Sequence, residues 1–250
     1  MKRNLLLAGA IVLVLCFGFS GFSASRVWAE DKPLFYASFE DTADAITGQM
    51  ANLNNTEPDF VPARFGKGLL CDATNKAVVS YPTVGSINKE AGTVEFWVRL
   101  MEDATAGKER QHRMMFLLQG TQSLNPGLIF MGFYDYWPSS IGIIRFSING
   151  DAPYADHPPT KEWKKGEMHH LALAWQEKSG VDFYVDGKNV KHCELEDFKL
   201  ICDPAGFFYI YPTNCVVDEL TIYGYRRTDS QVEADFKAKE PLQLSLDAQK

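Results

Sequence analysis

The sequence has almost none of the 3.6-residue apolar repeat that marks an α-helix. Short segments that alternate apolar and polar residues recur instead, and turn pairs such as Asn149-Gly150 and Asp186-Gly187 separate them. A parallel α/β sheet, which needs a long connection between successive strands, is therefore excluded. The pattern predicts one all-β domain, a sandwich or a barrel. The candidate strands are Leu34–Phe39, Lys76–Tyr81, Thr93–Leu100, Met114–Gln119, Leu128–Phe133, Ile143–Ile148, His169–Trp175, Val181–Val185, Phe207–Tyr211 and Val216–Tyr223.

Long apolar runs are also scarce, and the clearest one, residues 5–19, follows Lys2 and Arg3. Val27 and Ala29 have the spacing of an A-x-A-like cleavage site, so residues 1–29 are predicted to be a secretory signal peptide. An uncleaved membrane anchor is one alternative, because the run through Phe22 is nearly long enough to span a bilayer. A lipid-anchored Cys16 is another. We expect an exported protein, periplasmic or extracellular, that meets a membrane only if this segment is retained.

Basic residues are fewer than acidic ones, 25 against 32 over the whole chain. Residues 1–29 contain Lys2, Arg3 and Arg26 and no acid, so the remaining chain has 22 basic and 32 acidic residues, a net charge of −10. An acidic surface repels phosphate backbones. Nucleic acid is therefore excluded as a partner.

Cysteine is scarce too, with Cys71, Cys193, Cys202 and Cys215 after the N-terminal segment. Disulfides persist in exported proteins, and four cysteines allow three connectivities. The short spacing between Cys193 and Cys202 favours that pair as a bridge. A zinc site is disfavoured because no C-x-x-C pair occurs.

Familiar catalytic motifs are missing from the sequence. It has no Gly-x-Ser-x-Gly elbow and no phosphate-binding glycine loop. His169 and His170 are adjacent on a candidate strand, so they face opposite sides and do not easily share a metal ion. We expect one of them to be packed and hydrogen-bonded and the other to be half-exposed.

One short helix is predicted near the C-terminus. Thr228 and Gln231 have the spacing of a capping box, and Val232 and Phe236 form an apolar side. Residues 237–250 lack aromatic residues and are expected to be a flexible tail.

Three blocks of sequence, in this order, carry a family resemblance. They are "FGKGLLCD" with "GTVEFWVRL", then "HHLALAW…GVDFYVDGK", then "VVDELTIYGYRRTDSQVEADF". Together they resemble the laminin G-like, concanavalin A-like jelly-roll family of secreted bacterial proteins, across residues 34–236 within a domain of residues 30–236. Met168 stands where the family usually has a tryptophan. The resemblance implies two stacked antiparallel sheets, with Val94, Phe96, Val98 and Leu100 facing the layer between them.

Some relatives with this sandwich are glycoside hydrolases, which carry Glu-x-Asp-x-x-Glu on one strand so that the acids point into a cleft. This motif is absent here: Glu233 and Asp235 have the right spacing, but Ala238 occupies the last position. The adjacent acids of "VVDELTIYG" are expected to point to opposite faces of a strand. The chain is therefore predicted not to be an enzyme.

The loop "MGFYDYWPSS" is the candidate carbohydrate site. Tyr134, Tyr136 and Trp137 surround Asp135, and aromatic faces with one carboxylate can hold the C–H face and hydroxyls of a sugar. The alternative is that these aromatic rings pack onto the edge of the sandwich.

Asp218 is the candidate metal ligand, because it is in phase with the apolar residues of its strand, and a buried carboxylate needs a partner. Glu40 and Asp41 could join it around a structural Ca²⁺ ion, since family members often bind Ca²⁺ at the rim. The alternative is that Asp218 accepts backbone N–H groups from a neighbouring loop. No other cofactor is expected.

The favoured function is a non-catalytic, exported binding module with a carbohydrate ligand. A protein-interaction or structural module of the cell envelope is the alternative, with an envelope protein as partner instead of a glycan. A divergent polysaccharide-cleaving enzyme is the third hypothesis.

Overall fold

A computed structural model describes residues 32–54, 56–71, 77–102, 112–118, 129–134, 144–148, 154–157, 163–196, 199–200, 205–210 and 214–244. Within them the chain forms β1 (Phe35–Ala37), β2 (Asn52–Leu53), β3 (Asp59–Pro62), β4 (Lys67–Cys71), β5 (Val79–Pro82), β6 (Ala91–Leu100), β7 (His112–Leu118), β8 (Ile129–Tyr134), β9 (Ile144–Ile148), β10 (Tyr154–His157), β11 (Met168–Gln176), β12 (Gly180–Val185), β13 (Lys188–Cys193), β14 (Phe207–Ile210), β15 (Cys215–Tyr223) and α1 (Asp229–Phe236).

The strands form two antiparallel sheets. Sheet A has the order β13-β12-β11-β6-β15-β4-β3, with β1 also paired to β15. Sheet B has the order β10-β9-β8-β7-β14-β5-β2. The predicted all-β sandwich of jelly-roll type is confirmed, and so are all ten candidate strands. The hairpin after Asp186-Gly187 is β12–β13, with Asp186 at φ 49° and Gly187 at φ 72°, the positive values that this turn requires.

Aromatic side chains fill the layer between the sheets. Phe35 of β1 lies 4.7 Å from Tyr81 of β5 and 5.0 Å from Phe208 of β14, between ring centroids. Phe96 of β6 stacks on Phe116 of β7 at 6.4 Å. Burying one such side chain contributes roughly 1.5–3 kcal/mol, so this layer supplies most of the stabilisation of the fold.

The facing of β6 was predicted correctly. Val94, Phe96, Val98 and Leu100 belong to the core between the sheets. Glu95 and Trp97 face the other side of sheet A and are nevertheless buried. The outer face of sheet A is therefore covered as well.

The helix α1 provides part of that cover. Val232 of α1 packs against Ala172, Ala174 and Tyr184 on the outer face of sheet A. Both faces of β11 and β12 are thus buried at these positions, because the short alanine side chains let the helix approach the sheet. The capping box is confirmed: the Thr228 side chain accepts from the backbone N–H of Gln231, and the Gln231 side chain accepts from the backbone N–H of Thr228.

Residues 237–244, expected to be part of a tail outside the domain, also lie against sheet A. The Arg64 side chain donates to the carbonyl of Ala238, and the Leu242 N–H donates to Glu219 on β15. The flexibility of the tail stays a prediction, and residues 245–250 lie outside the described residues.

Cys193 ends β13 with a free thiol. The structure therefore gives no support to the bridge between Cys193 and Cys202. Cys202 itself lies outside the described residues, so the bridge stays a prediction. Within the described part of the chain, no helix has the length and apolar character needed to cross a membrane.

Candidate functional site

A cavity of about 230 Å³ lies on the outer face of sheet A, between its central strands and residues 235–243. Its floor is formed by side chains from three neighbouring strands, namely Glu95 and Trp97 of β6, His170 of β11, and Glu219, Thr221 and Tyr223 of β15. Phe65, Asp235 and residues 238 and 240–243 form the walls. Strand order brings these residues together, because β6 lies between β11 and β15 in the sheet.

A β-bulge in β15 shapes the floor. Asp218 is opposite Trp97 and Thr221 is opposite Glu95, so β15 uses one residue more than β6 over this stretch. Glu219 has the positive backbone φ angle of the bulge, 56°. The expectation that Asp218 faces the core is therefore wrong: it shares the outer face with Trp97. The bulge also places Glu219 at the cavity, although adjacent acids on a regular strand would point to opposite sides.

Asp218 is fully buried and bonds to a loop. Its Oδ2 accepts from the backbone N–H of Phe65 at 3.0 Å, which is the alternative to metal binding considered above. Burial raises the pKa of Asp218 to about 8.

The other two candidate metal ligands contact Lys67 instead. Glu40 accepts from the Lys67 backbone N–H at 3.2 Å, and Asp41 pairs with the Lys67 ammonium group. Across the described residues, no group of three or more His, Cys, Asp or Glu side chains is arranged to hold a metal ion. The Ca²⁺ site at Asp218, Glu40 and Asp41 stays a prediction.

Glu219 joins the cavity to the first strand and to the C-terminal segment. Its Oε2 accepts from the Tyr36 hydroxyl at 2.8 Å and from the Leu242 N–H at 3.4 Å. Its Oε1 has no hydrogen-bond partner among the described residues. Burial raises the pKa of Glu219 to about 7. The carboxyl therefore holds a proton for a substantial part of the time at neutral pH.

A buried charge cluster lies on the other side of the cavity floor. The Arg227 Nε lies 3.9 Å from Glu95 Oε1, and its Nη2 pairs with Asp235. The guanidinium also lies over the Tyr223 ring, 4.0 Å from its centroid. Burial lowers the pKa of His170 to about 3, so this imidazole is neutral although its Nε2 lies 3.8 Å from Glu95.

Trp97 forms an apolar part of the floor and is contacted on both sides. Its ring stacks on Phe236 of α1, with centroids 5.7 Å apart. The Arg64 guanidinium lies 4.5 Å from the ring centroid, as a cation–π contact. The indole is thus fixed in place before any ligand arrives.

The two adjacent histidines differ in exposure, as expected. His170 is buried at the cavity. His169 stacks on Trp163 with centroids 3.6 Å apart, and its Nδ1 lies 2.9 Å from Asp186 Oδ2. His169 is only partly exposed, and its ring is packed and hydrogen-bonded as well.

The predicted aromatic site falls mostly outside the described residues. The backbone of Tyr134 ends β8 in sheet B, and Asp135, Tyr136 and Trp137 follow in the undescribed segment 135–143. The carbohydrate site at these four residues stays a prediction.

Raising the pH from about 7 to about 9 is expected to lower the free energy of unfolding. The native pKa values of Glu219 and Asp218, about 7 and about 8, lie above the ordinary value near 4 for an unfolded chain. The native state therefore binds more protons than the unfolded state, and stability falls as pH rises through the native values, by at most about 1.4 kcal/mol per pH unit for each group. His170 has the opposite effect on stability, because it is neutral in the native state and protonated in the unfolded chain below a pKa of about 6.5. Its contribution to the free energy of unfolding therefore changes little above about pH 7.5.

Urea unfolding at pH 7, 8 and 9 measures this effect. In Asp218→Asn the side chain cannot ionise, so the free energy of unfolding should decrease less between pH 7 and pH 9. An equal slope in the parent protein and in the variant would contradict the assignment of the proton to Asp218.

Comparison with known proteins identifies the family to which this fold belongs. Residues 72–233 match the laminin G-type branch of the concanavalin A-like lectin/glucanases superfamily. Domain 4 of AbnA, an extracellular arabinanase of Geobacillus stearothermophilus, was solved with arabinotriose. It is 17% identical at a TM-score of 0.60, with 83% of this chain and 98% of that domain covered.

Two further structures are similar in fold. The binding domain of Paraclostridial Mosquitocidal Protein 1 is 14% identical at a TM-score of 0.64, with 83% of this chain and 52% of that one covered. The ligand binding domain of botulinum neurotoxin D, solved with N-acetylneuraminic acid, is 10% identical at a TM-score of 0.62, with 83% and 51% covered. The chain thus spans about half the length of these two domains.

None of the curated proteins compared matches the sequence. The family match covers well over half of the chain and agrees with the two-sheet sandwich described above. The chain belongs to the concanavalin A-like lectin/glucanases superfamily.

Proposed function

We propose that the chain is an exported, non-catalytic carbohydrate-binding module, and that the cavity on the outer face of sheet A is its ligand site. The observation that carries this proposal is the lining of the cavity. Phe65, Trp97 and Tyr223 supply apolar surface, and Glu95 and Glu219 supply acceptors for hydroxyl groups. Binding sites combine apolar walls with a few placed polar groups in this way.

The volume limits the ligand to one sugar ring. Pockets that enclose a drug-sized ligand measure roughly 300–1,000 Å³, and this cavity measures about 230 Å³. A terminal residue of a glycan suits it better than an internal stretch of a chain.

The similar structures support a carbohydrate ligand. The arabinanase domain was solved with arabinotriose and the neurotoxin domain with N-acetylneuraminic acid. The acidic lining disfavours sialic acid here, because like charges repel in a site with little water. We therefore expect neutral or cationic sugars to bind and sialylated glycans not to bind.

A glycan array probed with the purified protein, with and without Ca²⁺, tests the proposal. Glu219→Gln keeps the shape of the side chain and removes its charge, so it should weaken binding by about tenfold or more, the loss of a charge-assisted hydrogen bond. Glu233→Gln makes the same change on the exposed side of α1 and should leave binding unchanged. Circular dichroism of each variant checks that it is folded.

Trp137→Ala distinguishes the cavity from the aromatic loop. If the cavity is the site, this variant should bind glycan as the parent protein does. Loss of binding in Trp137→Ala, with binding retained in Glu219→Gln, would move the site to the loop. Absence of binding to any glycan would overturn the proposed function.

A protein-interaction module of the envelope is the second candidate, and a surface feature favours it. Ile46, Met50, Leu53 and Val84 are exposed large apolar residues. Leu53 lies on β2, at the edge of sheet B, and the Gln49 side chain donates to the Val84 carbonyl across this region. Exposed apolar clusters mark interaction surfaces, and sedimentation of Met50→Asp beside the parent protein would show whether copies of the chain associate here.

A further inference from the structure

The charge around the cavity is unbalanced. Two guanidinium groups lie beside it, those of Arg64 and Arg227. The carboxylates that line it are Glu95, Glu219, Asp235 and Glu240. Even when Glu219 holds a proton, three carboxylates against two guanidinium groups leave an excess of negative charge among the described residues around the cavity.

Both guanidinium groups are already engaged elsewhere. Arg227 pairs with Asp235 and lies over Tyr223. Arg64 lies over Trp97 and donates to the carbonyl of Ala238 at 3.0 Å. Neither donates a described hydrogen bond to Glu219, whose donors are the Tyr36 hydroxyl and the Leu242 N–H. Within the part of the chain that the structure describes, Glu219 therefore lacks a cationic partner.

Two buried acceptor positions at the cavity are also unfilled. Glu219 is only 6% exposed and His170 only 2%. Oε1 of Glu219 and Nδ1 of His170 have no hydrogen-bond partner among the described residues. Buried polar atoms of native proteins are nearly always hydrogen-bonded, so two such atoms on one cavity floor indicate a missing donor. An ammonium group offers three N–H donors and a positive charge.

We propose that the cavity binds the protonated amino group of an amino sugar, held by Glu219. This inference rests on the proposed function and specifies its ligand. The amino group supplies a donor to the Glu219 carboxyl and offsets the excess negative charge, while Phe65 and Trp97 pack against the C–H surface of the ring. A neutral sugar of the same size supplies hydroxyl donors but no charge.

Two methyl glycosides that differ only in the substituent on carbon 2 test the proposal. Methyl 2-amino-2-deoxy-β-D-glucoside carries the ammonium group at pH 6.5, and methyl β-D-glucoside carries a hydroxyl in its place. In an NMR titration the amino sugar is expected to bind about tenfold more tightly than the neutral sugar, as for a charge-assisted hydrogen bond. Glu219→Gln should remove this preference, and Glu233→Gln should keep it.

The outcomes separate this inference from the proposed function. Equal affinity for the two glycosides, lost in Glu219→Gln, would overturn the inference and leave the carbohydrate site standing. Lysine amide binding as tightly as the amino sugar would show recognition of the amine without the sugar, and would also overturn it. If neither glycoside binds but another glycan does so in a Glu219-dependent way, only the inference fails. No binding by any sugar defeats both.

Discussion

Replacing Trp175 with alanine is expected to lower the free energy of unfolding by about 3–5 kcal/mol, the usual cost of truncating a buried tryptophan. Trp175 is fully buried in the core of the sandwich. Its ring Nε1 donates to the carbonyl of Asn88 at 3.1 Å. Gly92 lies directly opposite on β6, and a Cβ at that position would overlap the indole. The indole ring thus occupies the space above Gly92, and alanine at position 175 would leave this space empty as a cavity.

Urea denaturation followed by circular dichroism measures this loss. Met50→Ala is the control, because Met50 is 72% exposed and surface substitutions usually change stability by less than about 0.5 kcal/mol. A loss below about 1 kcal/mol in Trp175→Ala would contradict the packing described for β6 and β11.

Arg227→Met is expected to cost a similar amount, about 3–5 kcal/mol, because it breaks a buried ion pair and leaves one charge behind. Arg227 is only 4% exposed. Methionine keeps much of the volume over Tyr223 but removes the guanidinium beside Glu95 and Asp235. Glu95 is itself buried on the cavity floor. The Glu95 carboxylate would then lose the guanidinium that lies 3.9 Å from it.

The double variant Arg227→Met with Glu95→Gln provides the internal check. Removing both charges should recover part of the loss, so the two substitutions should not add. Lys237→Met is the surface control, since the Lys237–Glu233 pair is exposed and such pairs contribute about 0–1 kcal/mol. Simple additivity of the two single changes would show that Arg227 stabilises the fold through packing alone.

The strands and the facing of β6 could be predicted from the sequence because apolar and polar residues alternate along a half-buried strand. Val94, Phe96 and Val98 show this alternation clearly. The start of α1 could be predicted from the capping-box spacing of Thr228 and Gln231. β2, β3, β4, β10 and β13 were not among the candidate strands. β2 has only two residues and β3 is partly exposed, so neither shows a clear alternation.

The cavity could not be predicted because its residues are separated in the sequence. Glu95, His170 and Glu219 meet only through the order and register of three strands, and neither is encoded locally. The bulge after Asp218 reverses the facing that alternation implies. Nothing in "VVDEL" marks the extra residue, so Asp218 was placed on the wrong face and Glu219 was set aside.

The C-terminal wall of the cavity has a consequence for how the site can vary. The family match ends at residue 233, but Asp235 and residues 238 and 240–243 close the cavity. A chain cut at the end of the match would keep every strand of both sheets and lose one side of the cavity. Chains that share this sandwich could therefore differ in the shape of this cavity through a short C-terminal segment alone, with no change to the scaffold that carries it.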